Sequence, residues 1–338
     1  MSDKRYLGNI ITQNPTAPAG PYEDGAASGV WSLAEANAYS AAGLWPIAGK
    51  SQRGVFAGGY TGSASNVIQY ISIASTGNAT DFGDLSAAKS LNSTMASSTR
   101  GVIGLDGTNT LEYITIATTG NTTDFGDKSV SSGAASGLSN DTRGCYTLGS
   151  YSTYSTIEYI TIASTGNGTN FGNLSVGRYY TGSTASPTRG IFAGGESSGG
   201  KTNVLDYITI STTGNATDFG DLTTGTGNYY AGCASSTRGL FAGSDKSTRN
   251  NNIDYITIAS LGNSTDFGDT TLARLGVGAL SGSSRGVFGG GNSDVGVYDN
   301  IIDYVTIATT GNAVDFGDLI AGAYFASGLS NAHGGLAA

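Results

Sequence analysis

The chain has 338 residues, of which 54 are glycine and only 12% are Asp, Glu, Lys or Arg. This charged fraction is roughly half that of ordinary globular proteins, and the 19 tyrosines and 11 phenylalanines exclude a disordered chain, which lacks aromatic residues. The net charge of −9 disfavours a nucleic-acid or anionic-membrane partner. The composition predicts an all-β protein with many glycine turns.

Residues 1–50 differ from the rest of the chain and predict an N-terminal arm. They hold four of the five prolines and both tryptophans, and residues 9–21 are typical of an extended segment. Ser32-Leu-Ala-Glu35 is a capping box that predicts a short helix ending at Gly43. We expect this apolar arm to dock on a neighbouring subunit, the alternative being a tail that packs back on its own chain. The predicted anchoring residues are Trp31, Leu33, Leu44 and Trp45.

Two further features of the chain bear on its compartment. The N-terminus lacks the apolar stretch of a secretory signal, and no apolar run reaches membrane-spanning length. Cys145 and Cys233 lie in unrelated contexts, which favours two buried hydrophobic side chains over a disulfide or a zinc site. We therefore expect a protein made in a cytoplasm, without membrane insertion.

Residues 51–338 contain six copies of one unit, each running from Arg-Gly through a Tyr-Ile-Thr-Ile type strand and Thr-Gly-Asn to a close match of Asp-Phe-Gly-Asp. The repeated arginines, spaced 43 to 49 residues apart, are Arg53, Arg100, Arg143, Arg189, Arg238 and Arg285. A period in the forties in a turn-rich all-β chain is typical of a propeller blade. Residues 51–338 therefore predict a six-bladed β-propeller with four strands in each blade.

The last full unit shows the predicted strands. They cover residues 276–281, 285–290, 300–308 and 313–319, with Gly311-Asn312 at a tight hairpin turn. The first unit begins directly at its second strand, whereas residues 319–329 match a first strand and His333 stands at the repeat position of arginine. We expect this C-terminal strand to complete the first blade and close the ring.

Variation in length locates a candidate binding face. The repeated Tyr and Phe are always 12 residues apart, while the distance from Arg to Tyr varies between 13 and 19 residues. Nearly all insertions and deletions thus fall in the loop between the second and third strands, opposite the Arg-Gly and Thr-Gly-Asn turns. Variable loops on a rigid scaffold usually carry recognition, and tyrosine suits sugar rings and protein surfaces alike; the alternative is a set of unconstrained solvated loops. The predicted binding residues are Tyr60, Tyr151, Tyr154, Lys201, Arg249 and Tyr298.

Two resemblances follow from these motifs. Gly58-Gly59, Gly194-Gly195 and Gly289-Gly290-Gly291, each followed by the Tyr…Phe pair, are similar to the kelch repeat, with Phe at the usual Trp position. Residues 254–260 and 266–269, together with residues 29–36 and 43–46, resemble repeat proteins of marine bacteriophages of the cyanophage and pelagiphage type. The second resemblance implies a structural part of a virion, oligomeric there and bound to other virion proteins through residues 1–50.

The motifs that resemble catalytic or metal-binding sites also have a purely structural interpretation. The recurring Asp-Phe-Gly lacks the lysine strand and catalytic loop of a kinase, and His333 has no nucleophile motif nearby. Asp81 and Asp84 could also hold calcium, an alternative that two carboxylates without further acidic residues disfavour. We expect no catalytic residues, no metal and no cofactor, and we interpret Arg285 and Asp315 as a structural ion pair.

The leading functional hypothesis is a non-enzymatic phage virion protein whose propeller serves in host attachment as a tail or fibre component. Its partner would be a host cell-surface glycan or protein. The alternatives are a capsid-decoration protein, a carbohydrate-binding, lectin-like propeller adhesin, and an intracellular kelch-like adaptor.

Overall fold

The computed structural model describes residues 32, 34–35, 52–149, 155–223, 225–245 and 248–336. Ser32 and Glu35 form the predicted capping box: the Ser32 N–H donates to Glu35 Oε2 at 3.0 Å, and the Glu35 N–H donates to Ser32 Oγ at 3.2 Å. The other features predicted for the arm lie outside the described residues, including Trp31, Leu33, Leu44 and Trp45.

The described residues from 52 onward form six four-stranded antiparallel sheets, which are the blades of the predicted propeller. In chain order the strands are β1 (Arg53–Ala57), β2 (Val67–Ser72), β3 (Thr80–Asp84), β4 (Ser93–Ala96), β5 (Arg100–Gly104), β6 (Thr108–Thr115), β7 (Thr123–Ser132), β8 (Gly137–Ser139), β9 (Arg143–Thr147), β10 (Thr156–Thr161), β11 (Thr169–Asn173), β12 (Gly182–Ala185), β13 (Arg189–Ala193), β14 (Glu196–Ser197), β15 (Gly200–Lys201), β16 (Val204–Thr209), β17 (Thr217–Asp221), β18 (Ala231–Ala234), β19 (Arg238–Ala242), β20 (Asn252–Thr257), β21 (Thr265–Asp269), β22 (Gly278–Ser281), β23 (Arg285–Gly289), β24 (Ile301–Thr306), β25 (Val314–Asp318) and β26 (Ser327–Ser330).

From the axis outward, blade 1 consists of β26, β1, β2 and β3; blade 2 of β4 to β7; blade 3 of β8 to β11; blade 4 of β12, β13, β16 and β17; blade 5 of β18 to β21; and blade 6 of β22 to β25. β14 and β15 form a small hairpin in the loop of blade 4. β26 pairs with β1, Gly54 lying opposite Ser330, which confirms the predicted closure. The inner strand of each blade contacts the inner strands of both neighbours, so the ring is complete.

Hydrophobic cores lie between the blades. Val55 and Phe82 of blade 1 pack with Ile103 and Ile114 of blade 2 in one such core, and comparable clusters fill the other interfaces. The second strands are buried on both faces, as their runs of apolar residues require. Because a single blade would expose both faces to water, the blades are stable only as neighbours in the ring.

The repeated arginines join neighbouring blades. Each lies over the tyrosine of its own blade, with its guanidinium carbon 4.3 to 4.5 Å from the ring centroid: Arg53 on Tyr70, Arg100 on Tyr113, Arg143 on Tyr159, Arg189 on Tyr207, Arg238 on Tyr255 and Arg285 on Tyr304. Each Nη1 donates to a backbone carbonyl of the next blade, as from Arg53 to Ile116 at 3.0 Å. The predicted ion pair between Arg285 and Asp315 is wrong, because Nη1 of Arg285 binds the carbonyls of Ile73 and Ala74 in blade 1.

The Thr-Gly-Asn segments make a second set of contacts between neighbouring blades. The hairpin turn of blade 6 lies at Thr306–Thr309, where the Thr309 N–H donates to the Thr306 carbonyl at 3.2 Å, so the tight turn predicted at Gly311-Asn312 is wrong. Gly311 instead donates its N–H to the Phe267 carbonyl of blade 5 at 2.8 Å, and Asn312 Oδ1 accepts the N–H of Asp269 at 3.1 Å. Equivalent bonds recur at every interface, so this motif and Asp-Phe-Gly-Asp bind each blade to the next.

A matched pair of glycines tests this contact. A Cβ at Gly172, whose φ is +153°, would overlap the Gly214 carbonyl of the next blade, whereas a Cβ at Gly214 meets nothing within 4 Å. We expect Gly172→Ala to lower the free energy of unfolding by about 2–4 kcal/mol and Gly214→Ala to change it by less than about 0.5 kcal/mol. Urea denaturation of both variants measures the difference; equal effects would contradict the close approach.

The C-terminal residues 331–336 lie beneath the inner strands at the face of the Arg-Gly turns. His333 Nε2 donates to the Ala96 carbonyl of blade 2 at 2.8 Å, and its Nδ1 accepts the N–H of Gly335 at 3.2 Å. This geometry requires the neutral imidazole with its proton on Nε2. Gly334 and Gly335 closely approach the carbonyls of Ser235 and Ser139, so this segment spans the axis between blades 2, 3 and 5.

Burial lowers the pKa of His333 below its ordinary value of 6.5. The unfolded chain therefore binds this proton more readily than the folded chain, and the free energy of unfolding should fall as the pH drops below about 6.5. Urea denaturation between about pH 7.5 and pH 5 should show a shallower pH dependence for His333→Gln than for the unsubstituted protein. Parallel pH profiles would show that His333 is not buried in its neutral form.

Candidate binding face

The antiparallel blades divide their connections between two faces of the disc. The Arg-Gly turns and the hairpins after the third strands share one face, here the constant face. The loops between second and third strands share the other, here the variable face, with the connections that lead from each outer strand to the next inner strand. The variable face therefore includes connections of nearly constant length as well as the loops that vary.

The structure brings together two of the predicted binding residues, Tyr60 and Tyr298, with ring centroids 5.7 Å apart. Tyr324, from the connection into β26, stacks on Tyr298 at 5.7 Å and meets the edge of Tyr60 at 5.4 Å. Tyr60 and Tyr324 also exchange backbone hydrogen bonds of 2.8 and 3.1 Å. Burial and the two neighbouring phenols raise the pKa of Tyr324, so its hydroxyl keeps its proton at neutral pH. We call these three residues the tyrosine cluster.

The two predicted cations lie in contacts between loops. Lys201 Nζ is 2.9 Å from Asp245 Oδ2 on the loop of the next blade. Arg249 donates from Nη2 to Asn292 Oδ1 at 2.6 Å and from Nε to the Asn292 carbonyl at 2.9 Å. Both side chains thus tie a loop to its neighbour on the variable face. The predicted residues Tyr151 and Tyr154 lie outside the described residues.

A second set of aromatic side chains, absent from the sequence prediction, lies at the mouth of the central channel. Tyr180 and Tyr229 have centroids 4.2 Å apart, and Tyr229 and Phe325 are 4.9 Å apart. Phe325 in turn lies 4.1 Å from Tyr324, so this aromatic row (Tyr180, Tyr229, Phe325) continues into the tyrosine cluster. Its signal in the sequence is an aromatic residue two positions before the inner strand: Tyr180 before β12, Tyr229 before β18 and Phe325 before β26.

The aromatic row has left-handed backbone conformations. The φ angles of Tyr180, Tyr229 and Phe325 are 56°, 61° and 59°. Hydrogen bonds between blades hold this geometry: the Tyr229 N–H donates to the Tyr180 carbonyl at 3.0 Å, and the Phe325 N–H donates to the Gly276 carbonyl at 2.7 Å. The contacts of the ring therefore impose a conformation that these residues would not adopt alone.

The aromatic row borders a cavity of about 130 Å³ on the axis, at the variable-face ends of the inner strands. Hydroxyl groups of Thr94, Ser183 and other residues also line it, and its lining includes no Asp, Glu, Lys, Arg or His among the described residues. Gly232 and Gly328, which also line this cavity, lie so close to a neighbouring inner strand that a Cβ would overlap its carbonyl. A second cavity of about 60 Å³ lies farther down the axis and shares Thr94 and Ser183 with the first, and His333 and Gly334 line its far end. The larger cavity, with its aromatic and hydroxyl walls, is here named the axial cup.

The described residues hold no cluster of three or more His, Cys, Asp or Glu that could bind a metal ion. Cys145 and Cys233 are buried as free thiols, and burial raises the pKa of each to about 12. Both cysteines are therefore protonated and packed, as the sequence predicts. Among the described residues, no helix is long and apolar enough to cross a membrane.

The fold places the chain in the class of six-bladed β-propellers. Comparison with models of known protein families gives no match, and comparison with curated proteins gives none either. The geometry of the variable face therefore carries the functional argument.

Proposed function

We propose that the chain is a non-enzymatic structural protein of a phage virion, bound to other virion proteins through residues 1–50, and that the variable face of its propeller contacts the host cell surface during attachment. The observation that carries the proposal is the half-buried tyrosine cluster on that face. Clustered tyrosines on a rigid scaffold provide contact area at low entropic cost and are common at binding hot spots.

Within the repeat, the residues that hold the blades together are separate from the residues that differ between units, which supports a scaffold with one recognition face. The repeated residues of each unit make hydrogen bonds to the neighbouring blades. The arginine donates to a backbone carbonyl of the next blade, and the Gly-Asn segment binds the preceding blade. Residues that differ between units, such as Tyr60, Tyr298 and Tyr324, gather on the variable face. The virion location rests on the resemblance of the repeat and of the N-terminal segments to marine phage proteins.

The first test uses phage particles that carry this protein. We expect Tyr298→Ala and Tyr324→Ala to reduce adsorption to host cells by about tenfold or more, with unchanged virion yield, because each substitution removes a ring of the tyrosine cluster. Thr119→Ala, an exposed position on the constant face, is the matched control and should adsorb normally. The readout is the rate at which free phage disappear from a cell suspension.

Two results would contradict the proposal. Equal adsorption by the tyrosine variants and Thr119→Ala would remove the role in attachment and favour capsid decoration. Absence of the chain from purified virions, judged by mass spectrometry, would remove the virion location and favour an intracellular adaptor.

A further inference from the structure

The aromatic row occupies a position where the fold does not require aromatic side chains. The equivalent residue is Gly276 in blade 6 and Ala134 in blade 3, with the same left-handed backbone. A bulky side chain in this conformation costs about 1–2 kcal/mol relative to glycine. Three blades nevertheless carry Tyr180, Tyr229 and Phe325 here, so the rings serve something other than the ring's own stability.

The glycine of blade 6 is part of the same arrangement. A Cβ at Gly276 would lie 2.5 Å from the Phe325 ring, so this ring fills the space above blade 6 that a side chain there would occupy. The row thereby continues from Tyr229 in blade 5 to Phe325 in blade 1 without a gap. Leu91 and Ala134 line the other side of the axial cup, which is therefore aromatic on one side and aliphatic on the other.

The size of the axial cup suits one small ring. Its volume of about 130 Å³ is close to that of an apolar cavity of roughly 150 Å³ that holds one benzene molecule. The second cavity below it, of about 60 Å³, is less than half as large and has no room for a second ring. A ligand must therefore present a single terminal ring to the cup.

The walls of the axial cup select the chemistry of that ring. Without a charged side chain in the lining, a phosphate or carboxylate would be desolvated with no counter-charge. The hydroxyls of Thr94 and Ser183 already donate to the carbonyls of Gly328 and Gly137, each at 2.7 Å. Their oxygen lone pairs remain to accept hydrogen bonds, which favours a ligand rich in hydroxyl donors over an apolar one.

We propose that the axial cup binds the terminal neutral sugar ring of a glycan. The C–H face of the sugar packs against the aromatic row, and its hydroxyls donate to Thr94 and Ser183. This inference rests on the proposed function, since it names the class of host-surface ligand that the variable face takes. The tyrosine cluster, which adjoins Phe325 through Tyr324, then contacts the next part of the glycan or the surface around it.

Saturation-transfer NMR of the full-length protein tests the axial cup directly. The probes are the methyl glycosides of glucose, galactose, mannose and N-acetylglucosamine, with glucuronic acid and N-acetylneuraminic acid as charged counterparts. We expect at least one neutral glycoside and neither charged sugar to bind. Tyr229→Gly and Phe325→Gly should weaken binding by about tenfold or more, and the glycine relieves the left-handed backbone, so the variants stay folded.

Two further variants locate the effect. Gly276→Ala keeps every aromatic ring but displaces Phe325, so it should also weaken binding. Thr119→Ala changes an exposed residue of the constant face and should leave binding of a single glycoside unchanged. Thermal unfolding monitored by circular dichroism verifies that each variant is folded.

The outcomes separate this proposal from the proposed function. Binding of no neutral glycoside, preference for a charged sugar, or full binding by folded Tyr229→Gly would each overturn the axial-cup proposal. If Tyr298→Ala still reduces adsorption in that case, attachment through the variable face stands alone. Glycoside binding that is lost in Tyr229→Gly supports the axial cup even where phage adsorption does not depend on Tyr298.

Discussion

Deletion of residues 327–338 is expected to abolish the cooperative unfolding of the propeller or to lower its midpoint by more than about 10 °C. The deletion removes β26, the inner strand of blade 1, and exposes the edge of β1 with which it pairs. β26 also contacts the inner strands of blades 2 and 6, and Leu329 belongs to the core between blades 1 and 2. Its loss therefore opens the ring as well as weakening one sheet.

Deletion of residues 1–50 is the matched control for this experiment. The strands of all six described blades lie between residues 53 and 330, so we expect this truncated protein to unfold within about 2 °C of the full chain. Thermal scans monitored by circular dichroism compare the unfolding midpoints of the full chain and the two truncated proteins. A C-terminal deletion that melts cooperatively at the temperature of the full chain would show that β26 does not close the ring.

Substitution of Arg274 by Met is expected to lower the free energy of unfolding by about 3–5 kcal/mol. Arg274 Nη2 lies 2.5 Å from Asp303 Oδ1, and both side chains are fully buried in blade 6. Burial lowers the pKa of the guanidinium, while Asp303 opposes this effect. Removal of the arginine leaves the carboxylate buried without its counter-charge, although the Thr271 N–H still donates to it at 2.9 Å.

The double substitution Arg274→Met and Asp303→Asn should recover part of this loss, because no uncompensated charge is then buried. Lys201→Met is the matched control, since its ion pair with Asp245 is partly exposed on the variable face and contributes less than about 1 kcal/mol. Urea denaturation measures the free energy of unfolding of the single variant, the double variant and Lys201→Met. A loss in Arg274→Met no larger than that in Lys201→Met would contradict a buried ion pair that supports blade 6.

The repeat predicts the architecture because its signals are local. The number of blades follows from the spacing of the arginines, and the closing strand follows from the missing first strand before Arg53; the pairing of Gly54 with Ser330 confirms it. The partner of each arginine is not a local property. Arg285 meets Ile73 of blade 1, 212 positions away in the chain, and not the nearby Asp315, because the curved ring brings the next blade's carbonyls to its guanidinium.

The candidate site likewise has one part that the sequence predicts and one part that only the tertiary structure provides. Loop lengths and residue types predict from the sequence that Tyr60 and Tyr298 lie on one face of the propeller. Only ring closure, which places blades 6 and 1 side by side, brings their rings to 5.7 Å and adds Tyr324. The aromatic row depends on tertiary structure even more, because Tyr180, Tyr229 and Phe325 belong to three blades and meet only at the axis. The sequence by itself thus determined the blades, their number and their variable face, since these arise within one repeat. The axial cup depends on the closed ring, since hydrogen bonds between blades hold its three aromatic residues in left-handed conformations.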